Sequence, residues 1–262
     1  WLGIPRFQKG ITSIMHIVHD VHGKIIGEWG RRRLKPEELE KKTKRRNVHI
    51  PRQVLRSELR HGLQGDRGVL WGYILKNISS TPSWQYELEF DVWWEIKTHS
   101  ADLVVGADGI YSSVRWIALW DTTSPLRYLG CIVILGICSL EKLSPHKLLD
   151  GETVFQTVDG VQRIYMMPYD ETNIMWQFSY PLNEKEAKIL SKEWPEALKR
   201  EILERIWDWH SPIPEILEET PITHITGYPV YDREALKPED LKQLWDITLI
   251  GDAMHPMSPF KG

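Results

Sequence analysis

The first half of the chain alternates short apolar runs with turn-forming residues. Residues 14–20 and 24–29 flank the pair His22-Gly23, which predicts a β-hairpin because glycine supplies the positive φ that such a turn needs. A helix is predicted after Pro51, since one face repeats a leucine at every fourth residue. These leucines are Leu55, Leu59 and Leu63. Further strands are predicted at residues 69–78, 87–97 and 103–105.

The second half has the pattern of an antiparallel sheet followed by a helix. Residues 128–140 form a long apolar run, and Asp159-Gly160 is the strongest hairpin signal in the chain. An aromatic-rich strand is predicted at residues 173–180. The next helix is indicated by the apolar residues Leu198, Ile202, Ile206 and Trp209. A short strand over residues 247–250 then leads into a polar loop, and the whole pattern predicts an α/β or α+β fold.

Composition excludes several classes of protein. The chain has 262 residues, 33 basic and 36 acidic side chains and a formal charge of −3. These values exclude a disordered chain and a nucleic-acid binder that works through bulk positive charge. The longest apolar run, from Cys131 to Cys138, is far too short to cross a membrane. No leader sequence is recognisable, which favours a cytoplasmic location.

Two segments end buried strands with an acidic residue. Asp108 follows residues 103–105, at the position where open α/β sheets bind ligands, although it could equally cap the following turn. Asp252 follows residues 247–250, and a carboxylate fixed there can accept hydrogen bonds from sugar or ribityl hydroxyls. His255 lies close by, but a histidine beside two prolines is more often structural than catalytic.

A third segment, residues 49–56, carries two arginines one helical turn apart. Arg52 is predicted in the first turn of a helix, where the helix dipole disfavours a cation unless an anionic partner lies nearby. Spacing alone leaves open two solvated arginines. Three histidines, His16, His19 and His22, suggest a metal site, but on a strand they would not share a face.

Together the three segments resemble the FAD-dependent aromatic hydroxylases and related flavoprotein monooxygenases, a group that includes the tetracycline-inactivating enzymes. Residues 107–115 are similar to the family's Asp-Gly fingerprint and residues 251–262 to its Gly-Asp fingerprint. Residues 50–56 resemble its flavin-contacting helix. Since all three occur in the family's order and spacing, the resemblance covers essentially the whole chain.

The resemblance implies a doubly wound FAD-binding domain with an antiparallel-sheet substrate domain inserted into it. Residues 1–127 would form part of the FAD-binding domain, residues 128–230 the substrate domain, and residues 231–262 the return to the first domain. The family's Gly-x-Gly-x-x-Gly, which binds the FAD pyrophosphate, does not occur in the sequence. We expect it upstream of Trp1 in a longer protein, and we expect weak FAD binding without it.

The resemblance also implies roles for individual residues. Asp252 would bind the ribityl or ribose region of FAD, and Asp108 would hold the cofactor-side loop and assist FAD and NADPH binding. The full cofactor-binding set would be Arg52, Gln53, Asp108, Gly109, Arg115, Gly251, Asp252 and Gly262. A loop beside the flavin ring would contain Pro256 and Pro259, which act through their backbone. Substrate-lining candidates, which could equally be core residues, are Gln156, Tyr165, Met167 and Trp176.

The chemistry implied by the resemblance is carried by the cofactor. Such enzymes reduce FAD with NADPH or NADH, trap O₂ as a flavin C4a-hydroperoxide, and hydroxylate or epoxidise a hydrophobic, aromatic small molecule. This chemistry needs neither a catalytic triad nor a metal, and none is predicted. Two alternatives are a flavin reductase or dehydrogenase on the same scaffold, and a non-catalytic fragment unable to hold FAD.

Overall fold

The computed structural model describes residues 10–30, 47–62, 68–83, 85–119, 123–242, 244 and 246–258. The strands are β1 (Ile11–Ser13), β2 (Met15–His19), β3 (Ile25–Gly30), β4 (Asn47–His49), β5 (Tyr73–Ser80), β6 (Tyr86–Val92), β7 (Glu95–Ala101), β8 (Val104–Gly106), β9 (Arg127–Ser139), β10 (Thr153–Val158), β11 (Arg163–Pro168), β12 (Asn173–Pro181), β13 (Thr226–Asp232) and β14 (Ile247–Leu249). The helices are α1 (Arg52–Gly62), α2 (Ser113–Leu119), α3 (Glu184–Leu190), α4 (Pro195–Ile206), α5 (Ile213–Glu219) and α6 (Pro238–Leu241). The predicted mixture of strands and helices is confirmed.

The described residues form two compact units. The first unit is drawn from residues 1–67 and 130–229, and the second from residues 68–129 and 230–262. No helix within the described residues is both long and apolar enough to span a membrane.

A seven-stranded sheet organises the first unit, in the order β13-β9-β12-β11-β10-β2-β3. Within it, β9 pairs antiparallel with β12, β12 with β11, and β11 with β10. The predicted turn at Asp159-Gly160 joins β10 to β11, with φ of 94° at Gly160. The Asp159 carboxylate accepts hydrogen bonds from the backbone N–H groups of Val161 and Gln162, so the turn is closed locally.

The hairpin of β2 and β3 forms as predicted but belongs to this same sheet. The Asp20 carboxylate accepts hydrogen bonds from the N–H groups of His22 and Lys24, which closes its turn. Strand β2 pairs parallel with β10, so the sheet is mixed rather than wholly antiparallel. The resemblance groups residues 15–30 with the FAD-binding part, whereas the structure pairs them with the strands of the insert.

One face of this sheet, the helix face, is covered by α4 and α5. The buried sheet residues are Phe155, Ile164, Met166, Trp176 and Phe178. The buried helix residues are Leu198, Ile202, Ile206, Ile213, Ile216 and Leu217. Direct bonds join the two layers: the Trp176 indole N–H donates to Thr220 Oγ1 at 2.9 Å, and the Tyr180 hydroxyl donates to Glu201 at 3.0 Å. Helix α4 therefore has the apolar face that its sequence periodicity predicts.

The opposite side of the sheet is here called the second face, and most of its side chains are half-buried, although Val133 and Val154 are buried. Side chains alternate between the two faces along each strand. The residues that point to the second face include Val18, Leu135, Gln156, Tyr165, Met167, Met175 and Gln177.

The second unit contains a three-stranded antiparallel sheet, β5-β6-β7. The sequence predicts one strand over residues 87–97, but the chain reverses at Trp93 and Trp94, which have φ of 53° and 77°. The Trp94 N–H donates to the Asp91 carboxylate at 3.1 Å and closes this turn. A positive φ is uncommon for tryptophan, so no sequence signal marks the turn.

The core of the second unit lies where α2 packs with the strands. Its buried residues are Leu88, Val104, Val114, Leu119, Leu244, Leu249 and Ala253. The parallel pair β8 and β14 contributes Val104 and Leu249, so the core fixes the two strands that carry the fingerprints.

Replacing Trp176 with alanine tests the core of the first unit. Trp176 is 0% exposed, so Trp176→Ala is expected to lower the free energy of unfolding by about 3–5 kcal/mol in urea denaturation. Trp194, which is 79% exposed, is the matched control, and Trp194→Ala should change it by less than about 0.5 kcal/mol. Equal losses in the two variants would contradict this assignment.

The pH dependence of stability tests the burial of His19. Burial lowers the pKa of His19, and the neighbouring His210 lowers it further. The unfolded chain therefore takes up this proton first as the pH falls through about 6.5, and the free energy of unfolding decreases on acidification. His19→Gln should make this decrease shallower when urea denaturation is compared between about pH 7.5 and pH 5.

His22 lies in the exposed turn of the same hairpin and supplies the control. His22→Gln should leave the pH dependence close to that of the wild type. An unchanged slope in His19→Gln would show that another group is responsible.

Candidate cofactor and substrate sites

Two parallel strands of the second unit bring the Asp-Gly and Gly-Asp segments to one edge. Strands β8 and β14 pair with Val104 opposite Ile247 and Gly106 opposite Leu249. The Ile250 N–H then donates to the Gly106 carbonyl at 2.9 Å. Because parallel strands end at the same edge of a sheet, Asp108 and Asp252 follow β8 and β14 at a shared edge.

The Asp108 carboxylate is satisfied by its own loop. Its Oδ1 accepts a hydrogen bond from Ser112 Oγ at 2.5 Å, and its Oδ2 accepts from the N–H groups of Ser113 and Val114 at 2.7 and 3.2 Å. Gly109 has φ of 84°, which favours glycine at this point of the turn. Asp108 therefore caps α2, which is the alternative that the sequence leaves open.

The Asp252 carboxylate is presented differently. Gly251 has φ of 58°, and the chain there leaves β14 in a short 3₁₀ turn that exposes Asp252. No hydrogen bond to this carboxylate is made from any part of the chain that the structure describes. Asp252 therefore offers acceptor oxygens to a ligand.

Arg115 holds the Gly-Asp loop from inside the protein. It is 3% exposed, and its Nη1 donates to the carbonyls of Ala253 and Met254, each at 2.9 Å. The resemblance implies that Arg115 binds the cofactor. In the structure its Nη1 instead donates to backbone carbonyls 138 and 139 residues further along the chain. Arg115 therefore positions the loop that carries Asp252.

The loop after Asp252 is described only in part. Pro256 and Ser258 are buried, while His255 is exposed and its backbone N–H donates to the Gly251 carbonyl at 2.9 Å. Pro259 and Gly262 lie outside the described residues.

A cavity that sequence reasoning missed lies beside Asp108. It has a volume of about 430 Å³ and is mostly apolar. Its lining includes Val105, Ala107 and Ser113 from the fingerprint segment, together with Tyr73 and Phe90 from β5 and β6. Strands β5 and β6 belong to a different sheet from β8, so they reach the fingerprint only by tertiary packing and no local sequence signal identifies them.

The segment that resembles a flavin-contacting helix lies at the second face of the first unit. Helix α1 begins at Arg52, and Arg52 and Gln53 are exposed. Burial raises the pKa of Tyr228 on β13, and the positive charge of Arg52 partly opposes this shift. A Cβ atom added to Gly227 would contact Ile134 and Leu198, so position 227 faces the helices. Side chains alternate along a strand, so the next residue, Tyr228, points to the second face.

A second contact links the same segment to that face. His49, just before α1, is hydrogen-bonded through Nε2 to Ser13 Oγ at 2.7 Å. Burial lowers the pKa of His49, and His16 lowers it further. His16 stacks on Trp29 with ring centroids 5.4 Å apart.

The four substrate candidates separate into two groups. Gln156, Tyr165 and Met167 point to the second face and are half-buried. Trp176 lies on the helix face, where it is fully buried and bonded to Thr220. Trp176 is therefore a core residue. It points to the opposite face from Gln156, Tyr165 and Met167, because side chains alternate between the two faces along a strand.

The three histidines do not lie on one face of the sheet. His16 and His19 point to opposite faces of β2, as expected, and His22 lies in the turn. The described residues contain no group of three or more potential ligands that could hold a metal ion.

Comparison with known proteins finds monooxygenases that are similar to this chain. No protein-family model matches the chain. An aurachin C monooxygenase/isomerase from Stigmatella aurantiaca is 27% identical over 205 residues, which are 77% of this chain and 48% of that protein. A 6-hydroxynicotinate 3-monooxygenase from Bordetella bronchiseptica is 25% identical over 162 residues, 61% of this chain and 39% of that protein. The chain thus spans about half, or less, of the curated relatives it matches.

The fold is shared with a solved flavoprotein. The structure of Klebsiella pneumoniae HpxO complexed with FAD and uric acid matches with a TM-score of 0.75 and 18% identity, covering 95% of this chain and 59% of that one. The described part of the chain therefore has the same fold as the matching part of HpxO. The homologues of the chain are monooxygenases of the FAD-dependent aromatic hydroxylase type, which confirms the predicted resemblance.

Replacing Arg115 with methionine tests its role in the Gly-Asp loop. The loss of its two bonds to Ala253 and Met254 should lower the free energy of unfolding by about 1–3 kcal/mol. Hydrogen exchange should also become faster at the Met254 and His255 amides, which donate to the Gly251 carbonyl. Arg200 is exposed on α4, and Arg200→Met should change neither quantity. Unaltered amide exchange in Arg115→Met would refute the positioning role.

Proposed function

We propose that the protein is an FAD-dependent monooxygenase that uses NADPH or NADH and O₂ to hydroxylate or epoxidise a hydrophobic, aromatic small molecule. The observation that carries this proposal is the parallel pairing of β8 and β14, which brings both fingerprints to one edge and leaves the Asp252 carboxylate exposed. The names of the relatives support an oxygen-inserting reaction. A bound uric acid in the HpxO structure and the name 6-hydroxynicotinate 3-monooxygenase support a small-molecule substrate.

The residues present fit part of an FAD molecule. The Asp252 carboxylate, with no hydrogen bond from the described residues, can accept hydrogen bonds from ribityl or ribose hydroxyls. In the first unit, taken by itself, Arg52 is exposed at the start of α1, and its guanidinium group can pair with an anionic group. The sequence has no Gly-x-Gly-x-x-Gly cradle for the pyrophosphate, so the fit proposed for the second unit extends to the hydroxyl-bearing part of FAD.

In this proposal the residues of the chain hold the fingerprint loops in place and bind and orient FAD. When bound, FAD supplies the redox chemistry, accepting a hydride from the nicotinamide and activating O₂. Asp108 fixes the first fingerprint loop by capping α2, with Gly109 in its turn, and Arg115 fixes the second loop through its two carbonyl contacts. Gly251 gives the chain the turn that exposes Asp252. Pro256 is buried and stiffens the loop that follows.

The second face of the seven-stranded sheet supplies the substrate-binding surface in this proposal. Gln156, Tyr165 and Met167 are half-buried there and combine polar groups with an apolar, polarisable side chain. Arg52 and Gln53 begin a helix that lies near the same face. A polar, aromatic ligand is thereby offered both hydrogen bonds and apolar contact.

Flavin binding tests the assignment of Asp252. Asp252→Ala is expected to weaken binding of FAD about tenfold or more in a fluorescence titration, because a hydrogen bond to a charged group contributes about 1.5–3 kcal/mol. Asp246 is exposed before β14, at the opposite end of the same strand, so Asp246→Ala should bind FAD like the wild type. Equal affinities for all three proteins would remove Asp252 from the site.

Turnover separates the proposed activity from its alternatives. Purified protein with FAD, NADPH and a panel of phenols should consume O₂ and form an oxygenated product. NADPH oxidation with no oxygenated product would favour a reductase. A lack of both flavin binding and turnover would favour a non-catalytic chain.

A further inference from the structure

Two histidines meet where the β2–β3 hairpin contacts the connection between α4 and α5. His19 ends β2, and its partner in the parallel pairing with β10 is Thr157. Both side chains are buried on the helix face of the sheet. His210 lies in the connection, and its ring centroid is 4.9 Å from that of His19. The two imidazole rings are therefore direct neighbours inside the first unit.

His210 joins the turn of the hairpin to the sheet through three contacts. Its backbone N–H donates to the Val21 carbonyl at 2.9 Å. It also packs against Gly23, where an added Cβ atom would lie 3.1 Å from the Cβ and Cγ atoms of His210. Its Nε2 is hydrogen-bonded to Thr157 Oγ1 at 2.8 Å, which connects the same ring to β10. These three contacts of His210 are called the hairpin latch below.

The hydrogen bonds of His210 define the form of the ring that suits the latch. Its Nδ1 lies 2.7 Å from the Ser211 carbonyl oxygen, which can only accept, so Nδ1 carries a proton. In the neutral ring Nε2 then has no proton and accepts a hydrogen bond from the Thr157 hydroxyl. A second proton, on Nε2, would reverse that hydrogen bond. The closed latch is therefore arranged around a neutral ring.

The closed latch also disfavours a charged His19. The Nδ1 atom of His19 is buried and has no hydrogen-bond partner among the described residues. A histidine cation carries an N–H on both ring nitrogens, so protonated His19 would bury a donor without an acceptor. It would also place a positive charge beside the ring of His210. In an open latch water can accept from Nδ1, so proton uptake by His19 favours opening.

The groups around His19 disfavour its cation on balance. Burial lowers the pKa of His19, and the positive charges of His210 and Lys147 lower it further. The Gln156 backbone and the Asp20 carboxylate raise it, but the net shift is downward. Asp20 is exposed in its turn, where it accepts two hydrogen bonds from backbone N–H groups. Its carboxylate is therefore a weak counter-ion for the buried ring.

The connection between β9 and β10 brings a third histidine to the same place. Burial lowers the pKa of His146, and the charges of Lys147 and His210 lower it further, whereas Glu215 on α5 opposes this shift. Protonation of the histidines would add positive charge beside a lysine. Acidification would therefore introduce repulsion at this end of the hairpin.

We propose that His19 and His210 form an acid-sensitive latch, which fixes the turn of the β2–β3 hairpin to the α4–α5 connection while both rings are neutral and releases it on acidification. The device controls the order of the hairpin, whose strand β3 carries Trp29, stacked on His16. It concerns the first unit alone and does not depend on the proposed function.

Hydrogen exchange at two pH values tests the latch. The reporters are the His210 N–H and the Gly23 N–H, which donates to the Asp20 carbonyl at 3.0 Å. The open form takes up a proton on His19 as the pH falls through about 6.5, so the wild-type protection factors should fall about tenfold between about pH 7.5 and pH 5. Protection factors already correct for the intrinsic pH dependence of exchange. In His19→Gln, which takes up no proton at this position, the fall should be about threefold or less.

Urea separates release of the hairpin from unfolding of the whole unit. At pH 5, about 1 M urea should leave exchange at the two reporters nearly unchanged, because a local opening exposes little surface. Amides of β12, at the centre of the sheet, exchange through more extensive unfolding and should exchange about fivefold or more faster under the same conditions.

Two further variants act as controls. His22→Gln changes an exposed histidine in the same turn and should behave like the wild type. Thr157→Val removes the hydroxyl that is bonded to His210 and keeps the shape of the side chain. It should lower protection at the reporters about threefold to tenfold at both pH values and keep the pH dependence. Because Thr157→Val and the wild type retain His19, they test the latch even if His19→Gln fails to fold.

Three outcomes would overturn the inference. The first is equal protection of the reporters at both pH values in the wild type. The second is an undiminished fall in protection in folded His19→Gln. The third is a urea dependence at the reporters as steep as that of the β12 amides, since the loss of protection would then come from unfolding of the sheet rather than from release of the hairpin.

Discussion

The candidate cofactor site depends on one pairing, the parallel contact between β8 and β14. These strands are separated by 140 residues or more along the chain, yet three residue pairs hold them in register. Their buried side chains Val104 and Leu249 belong to one apolar core with α2. Because α2 also carries Arg115, whose Nη1 holds the Ala253 and Met254 carbonyls, the pairing is fixed by packing and by hydrogen bonds.

The two aspartates at this edge show how similar local sequences can take different tasks. Both follow a short buried strand, and each is next to a glycine with positive φ. Asp108 uses both carboxylate oxygens within its own loop, so its contribution is to shape that loop. Asp252 lies in an exposed turn, with its carboxylate open to a ligand. A sequence fingerprint identifies both residues, but only their hydrogen bonds distinguish the residue that shapes its own loop from the residue proposed to bind FAD.

The sequence predicts turns that are held by hydrogen bonds between nearby residues, and it misses strand pairings between residues that are far apart in the chain. The turns at Asp159-Gly160 and at His22-Gly23 are closed by hydrogen bonds that an aspartate accepts from backbone N–H groups two to four residues away, and both turns are predicted correctly. The reversal at Trp93-Trp94 is also local, but it uses a conformation that tryptophan rarely adopts. The parallel pairing of β2 with β10 depends on residues more than 130 positions apart, and no periodicity within either strand reveals it.

The proposed substrate surface depends on which side chains of each strand share a face. A single sequence shows which residues of one strand share a face, but not which face of the sheet that is. Alternation places Tyr165 and Met167 on one face of β11, but it does not say which face meets the helices. The hydrogen bond from Trp176 to Thr220 shows that Trp176 points to the helices, so the next residue on β12, Gln177, points to the second face. Tyr165 and Gln156 lie opposite Gln177 in the cross-strand register and therefore point to the second face as well. One buried indole therefore determines which side chains are left for a ligand.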